Sequence, residues 1–189
     1  MSLLPDYGDP SDPQVRARYG KLEAFVGLGG NGVVFVGKLL LGLSVASMAI
    51  LGDSLNHLTD IAVSAVILYS FYVSARPADE EHPYGHGRAE SILAVVVSSL
   101  VISMGVLVIR EAVSSIGNPS IDASLSTVYA MLVFTAVKVF LAVFAFSVAG
   151  KIDSEAIKAD GWNHLSDTFI SVTVAAGVAI TVLIPEYRI

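Results

Sequence analysis

Apolar and polar residues alternate along this chain in long blocks. A polar stretch at 1–20 (MSLLPDYGDPSDPQVRARYG) carries three prolines and three aspartates in its first thirteen positions. Five apolar segments follow, at about 22–44, 47–75, 89–113, 124–149 and 155–184. Each exceeds the roughly 20 helical residues needed to cross a hydrocarbon core. None sustains a period-2 alternation, which argues against a β-barrel. The pattern predicts an all-α fold, a polytopic transmembrane helix bundle of five spans, preceded by a loose polar tail at 1–20.

Composition strengthens that reading. Of 189 residues, 54% are hydrophobic and 15% charged, whereas a soluble domain carries about 25% charged residues. The mean hydropathy is +0.70. A soluble fold of this length has too little interior to hide so much apolar surface, whereas a lipid bilayer solvates it. The net charge of −6 and the absence of a basic stripe speak against a nucleic-acid partner. With no cysteine, disulfides and thiolate metal sites are excluded. The polar, proline-bearing start predicts no cleavable signal peptide. Short-loop basic residues set the orientation: Arg16, Arg18 and Lys21, then Arg76 and Arg88, then Lys151 and Lys158. These mark the N-terminus and two of the loops as cytoplasmic, which suggests a cytoplasmic membrane as the location. Lys38 and Lys138 fall inside spans one and four, where snorkelling toward an interface is the first expectation and a polar partner inside the bundle the alternative. The string GLGGNG at 27–32 superficially suggests a phosphate loop, but it lies inside a span with no preceding strand, so close helix packing is the better reading.

Two spans share a polar string. Span two has Asp53-Ser54-Leu55-Asn56-His57-Leu58-Thr59-Asp60, and span five has Asp160-Gly161-Trp162-Asn163-His164-Leu165-Ser166-Asp167. Both read D-x-x-N-H-L-[ST]-D. At ~100° per residue, Asp53, Asn56, His57 and Asp60 fall within roughly a 100° arc of one helix, as do Asp160, Asn163, His164 and Asp167. A charged carboxylate at mid-bilayer costs about 2.5–3.5 kcal/mol even on lenient scales. The two stripes are therefore expected to face each other or to line water. Facing stripes gather carboxylate and amide oxygens around one point, which is a cation site. The plainer alternative is a hydrogen-bond network that only holds the bundle together. His57 and His164 point partly away from the carboxylates and read first as structural.

The loop between spans two and three, Arg76-Pro77-Ala78-Asp79-Glu80-Glu81-His82-Pro83-Tyr84-Gly85-His86-Gly87-Arg88-Ala89-Glu90, concentrates histidines and acids. Asp79, His82 and His86 suit a borderline divalent cation. Gly85 and Gly87 would let the backbone turn tightly between them. An ordinary polar loop whose histidines cap the next helix is the alternative.

Taken together, RPADEEHPYGHGRAES, NHLTD and NHLSD resemble the cation diffusion facilitator family over about residues 21–185. The resemblance implies a divalent-metal exporter, not an enzyme, that exchanges metal for protons and works as a homodimer in a lipid bilayer. It implies a tetrahedral transport site at Asn56, Asp60, Asn163 and Asp167, with Asp53, His57, Asp160 and His164 as possible accessory groups. It also implies a cytoplasmic loop site at Asp79, His82 and His86, and a partner for Arg88 near a sixth helix. Many zinc-selective members have histidine where this chain has Asn163. Two carboxylates and two amides form a harder set, which favours Mn²⁺ or Fe²⁺ relative to a histidine-containing set, with Zn²⁺ still possible. The family has six helices and usually a cytoplasmic domain. The expectation here is therefore a tail at 1–20 and a transmembrane domain at 21–189 that stops before helix six. Other readings are a passive cation channel with the same acids, a haem-binding electron carrier using His57 and His164, and an intramembrane aspartyl protease. The protease lacks its expected GxGD string, and no HExxH string is present.

Overall fold

The computed structural model describes residues 4–44, 48–114 and 125–183; some side chains within these helices, including those of Asp53 and Asn56, lie outside the described residues. The described chain forms five helices: α1 (Pro13–Ser44), α2 (Met48–Ser74), α3 (Arg88–Ser114), α4 (Leu125–Ile152) and α5 (Glu155–Leu183). The shortest, at 27 residues, reaches about 40 Å at 1.5 Å per residue, more than the ~30 Å of a hydrocarbon core. Among the described residues, Pro13–Ser44, His57–Ser74 and Val128–Ile152 are by themselves long and apolar enough to cross a membrane. The all-α membrane bundle expected from the pattern is what the chain forms.

The first helix starts well before residue 22. Asp12 accepts the Gln14 amide on Oδ1 at 2.8 Å, and its carbonyl accepts the Arg16 amide at 2.9 Å. It is thus an N-cap, followed by Pro13 at the position where a missing N–H costs nothing. Residues 13–20 are therefore helix, not loose tail, and Tyr19 is fully buried. The Tyr19 hydroxyl accepts the Tyr7 amide at 3.1 Å and donates to the Pro5 carbonyl at 2.9 Å, which pins the preceding segment as well.

The helices pack in a ring in the order α1–α2–α3–α5–α4, which closes on α1; α2 and α5 meet only slightly, across its interior. α4 turns into α5 in two residues. Asp153 adopts a left-handed φ of 51°. The Ser154 amide donates back to the Ala149 carbonyl at 3.2 Å, and Ser154 then opens α5. Two of the span-one glycines permit close approach. A Cβ at Gly27 would lie 2.8 Å from Ser64 Oγ on α2, and one at Gly30 2.7 Å from Leu141 on α4, while Gly29 and Gly32 face open space. The string is thus a packing surface inside a helix.

Tyr19, Ile67, Phe71, Val97, Val148, Ile152 and Ile157 are fully buried. They come from the half of the bundle nearest the 75–87 and 153–154 connections, so the tight apolar core lies at that end. At the same end Arg16 makes a two-pronged pair with Glu90 of α3 (Nη2–Oε1 2.7 Å, Nε–Oε2 3.0 Å). It also donates to the carbonyls of Ile152 and Asp153. Phe25, Leu40, Ile92, Ile102, Val133 and Phe169 point outward, as lipid-facing residues do.

Candidate metal centres

The ring interior carries the polar stripes. Asp60 stands twelve residues into α2, and Asp167 twelve residues into α5. Both therefore lie near mid-membrane, about 18 Å from their helix starts. The structure brings the two carboxylates onto one cation position. That position is occupied by the Lys138 ammonium of α4, which donates to Asp60 Oδ2 at 2.6 Å and to Asp167 Oδ2 at 2.8 Å. Asn163 of α5 donates its amide to Asp60 Oδ1 at 2.9 Å. His57 Nδ1 lies 3.1 Å from Asp60 Oδ2. Asp60 is thus engaged by groups from α2, α4 and α5 and is buried, while the Asp167 side chain keeps 25% of its exposure. Asn56 and Asp53 lie on α2, but their side chains are outside the described residues.

The rest of the span-five stripe turns elsewhere. Asp160 Oδ2 is 3.2 Å from His164 Nε2, and both residues are completely buried. Buried Glu23 of α1 is close enough to Asp160 to interact with it. Asp160 and His164 therefore belong to a neighbouring polar layer shared with α1, while His57 contacts the acid of its own motif.

In the loop, Asp79, His82 and His86 each offer a ligand atom, all within 4.8 Å of one another. The His82 amide donates to Asp79 Oδ1 at 2.7 Å, and His82 Nδ1 and His86 Nε2 lie 3.3 and 3.5 Å from the same carboxylate. The two imidazoles lie against each other, ring centres 4.4 Å apart and planes tilted by 38°. Gly85 makes the turn, at φ +77°, and donates to the His82 carbonyl at 2.9 Å; Gly87 has no such φ. The His82 amide, with smaller help from the two imidazoles, holds the Asp79 carboxyl below its ordinary range. His86 Nδ1 is buried without a hydrogen-bond partner. An anionic oxygen and two imidazoles in this arrangement fit a borderline divalent cation. The Ala89 amide donates to the His86 carbonyl at 3.0 Å, so the loop also supports the start of α3 through its backbone.

Residues 24–188 match the profile of the cation efflux transmembrane domain. The chain belongs to the cation efflux family. It is 28% identical over 169 residues to the manganese efflux system protein MneP of Bacillus subtilis, covering 89% of this chain and 57% of that protein. It is 33% identical over 156 residues to the magnetosome protein MamM of Paramagnetospirillum magneticum, covering 82% and 49%. It is 33% identical to metal tolerance protein 2 of Oryza sativa, covering 84% and 48%. The chain spans about half the length of these relatives.

Within this cation efflux bundle, two residues take roles that the sequence did not assign to them. Lys138 does not snorkel. It lies thirteen residues from the start of α4 and fourteen from its end, about 20 Å from either, beyond the reach of its side chain. Its position at the middle of the span was the available signal. Lys38 is also buried, its ammonium 6.0 Å from the Phe134 ring centre. The second such residue is Arg16. It makes the ion pair at the loop end of the bundle, whereas Arg88 opens α3.

Proposed function

We propose that this protein exports a divalent metal ion across a cytoplasmic membrane in exchange for protons. Its N-terminus would be cytoplasmic and it would act as a homodimer. The observation that carries the reading is the convergence of Asp60 and Asp167, from different helices, on one cation position at mid-membrane. Asn163 stands beside them, with its amide nitrogen now on Asp60; turning the amide over would present oxygen instead. With Asn56, whose side chain lies outside the described residues, this would make a transport site of two carboxylates and two amides. Asp79, His82 and His86 would collect metal on the cytoplasmic side. Compared with a histidine-containing set, oxygen ligands shift the preference toward Mn²⁺ or Fe²⁺, and the relative named as a manganese efflux protein supports Mn²⁺ as first choice. Coordination needs ionised carboxylates, so protons compete for the same oxygens, and amides take no part in that exchange. Rocking of one helix group against another would then switch access between the two sides.

The test uses the full-length protein in vesicles under an imposed pH gradient, with Mn²⁺, Fe²⁺ and Zn²⁺ uptake recorded. Transport should follow the gradient and vanish in Asp60→Ala. Normal transport by Asp60→Ala removes the hypothesis. Metal flux indifferent to the proton gradient replaces antiport with the passive channel.

A further inference from the structure

Lys138 comes from α4, a helix outside the paired motif, and it fills the position between the two motif carboxylates. Its side chain is only 3% exposed. Two of its three N–H donors are used on Asp60 and Asp167, at 2.6 and 2.8 Å. The two carboxylates together balance one divalent ion. With the ammonium still between them, an arriving divalent ion would leave the group with a net positive charge in a largely buried site. Like charges a few ångströms apart in such surroundings repel strongly. Metal and ammonium therefore cannot share these oxygens. A monovalent ion would gain nothing by the exchange, because it replaces one unit charge with another and still has to move the lysine.

Building on the reading of Asp60 and Asp167 as transport ligands, we propose that Lys138 is a tethered counter-ion that occupies the transport site when metal is absent. Its displacement is the step that sets metal affinity and rejects monovalent cations. The lysine keeps the empty carrier's acids compensated within the membrane and yields only to a doubly charged competitor. It is a specificity-determining residue that acts by occupying the metal's place.

The experiment measures Mn²⁺ affinity by calorimetry on the full chain in nanodiscs. His82→Ala and His86→Ala are present throughout, so that only the membrane site is read. Lys138→Met and Lys138→Gln are expected to bind Mn²⁺ about tenfold or more tightly than the parent, and Na⁺ should compete with Mn²⁺ in both but not in the parent. Lys138→Arg, which keeps the charge, should show no gain. A purely structural lysine predicts the opposite direction, weaker binding in Met and Gln. Unchanged or weaker binding in a folded neutral variant, with Asp60→Ala abolishing binding in the parent, overturns the lysine proposal alone. Parent protein that binds no Mn²⁺, or binds it equally well with Asp60→Ala, overturns the transport-site reading and this proposal with it. Should both neutral variants fail to fold, the wild type decides: Zn²⁺ should shift the ¹⁵N resonance of the Lys138 ammonium, assigned by its loss in Lys138→Arg. An unmoved resonance at saturating Zn²⁺ refutes displacement.

Discussion

Removing the Lys138 charge without its volume, as Lys138→Met, should destabilise the metal-free protein and make its stability depend on metal. The substitution deletes two short charge-assisted contacts and leaves Asp60 and Asp167 facing one another with no cation between them. Removing one partner from a buried charged group costs about 3–5 kcal/mol. The residual exposure of Asp167 lets water offset part of that, so the lower end applies. For a chain of this size each kcal/mol moves the unfolding midpoint by roughly 2–4 °C. In chelator, a fall of roughly 10 °C relative to wild type is therefore expected. A ligand at a hundred times its Kd adds about 2.7 kcal/mol of stability, so saturating Mn²⁺ should recover most of the loss. The assay is thermal unfolding in detergent by circular dichroism, run with chelator and with Mn²⁺. A metal-free variant as stable as wild type would mean that the ammonium does not compensate the acids. A destabilised variant that Mn²⁺ fails to recover would mean that the acids do not hold metal.

Arg16→Met should cost about 1.5–3 kcal/mol, because it removes a two-pronged partly buried pair with Glu90 and the bonds to the Ile152 and Asp153 carbonyls. Arg16→Lys should restore only part, since an ammonium lacks the fork; unfolding midpoints of the two variants check this. Gly20→Ala places a Cβ 2.4 Å from the Phe71 ring and should destabilise by about 1–3 kcal/mol, whereas Gly29→Ala meets open space and should be neutral or stabilising in the same measurement. The order of the loop should depend on pH in the acid range. Asp79 is held below its ordinary value of 3.8, so its stabilising contact with the His82 amide is complete above that value and lost as pH falls through the lowered one. Hydrogen exchange at the His82 amide should quicken there, and Asp79→Asn should abolish the dependence.

Much of the architecture was legible before any coordinates. The bounds of α2 to α5 agree with the apolar blocks to within three residues, because an apolar run of that length in lipid has few ways to satisfy its backbone other than as a helix. The start of α1 was misjudged. Prolines and aspartates suggested disorder, yet Asp12 and Pro13 are a cap and a first-turn residue, and burial of Tyr19 holds the extra turns in place. The loop cluster was readable because its members lie within eight residues, so a short turn suffices to collect them.

The sequence by itself determined that two acids from α2 and α5 had to find company inside the bundle, since neither could face lipid. It could not say what that company would be. A lone lysine at mid-span signals that it needs a partner, but no periodic counterpart says which one. Nor did the string around Asp160 reveal that this acid is buried against His164 while Asp167, two turns on, turns toward Lys138. Those choices depend on how α1 and α4 sit in the ring, on contacts between residues 78 and 29 positions apart in the chain. Periodicity acts along one helix and is written locally. The electrostatic balance of a buried site is a sum over several helices, so only their packing decides it.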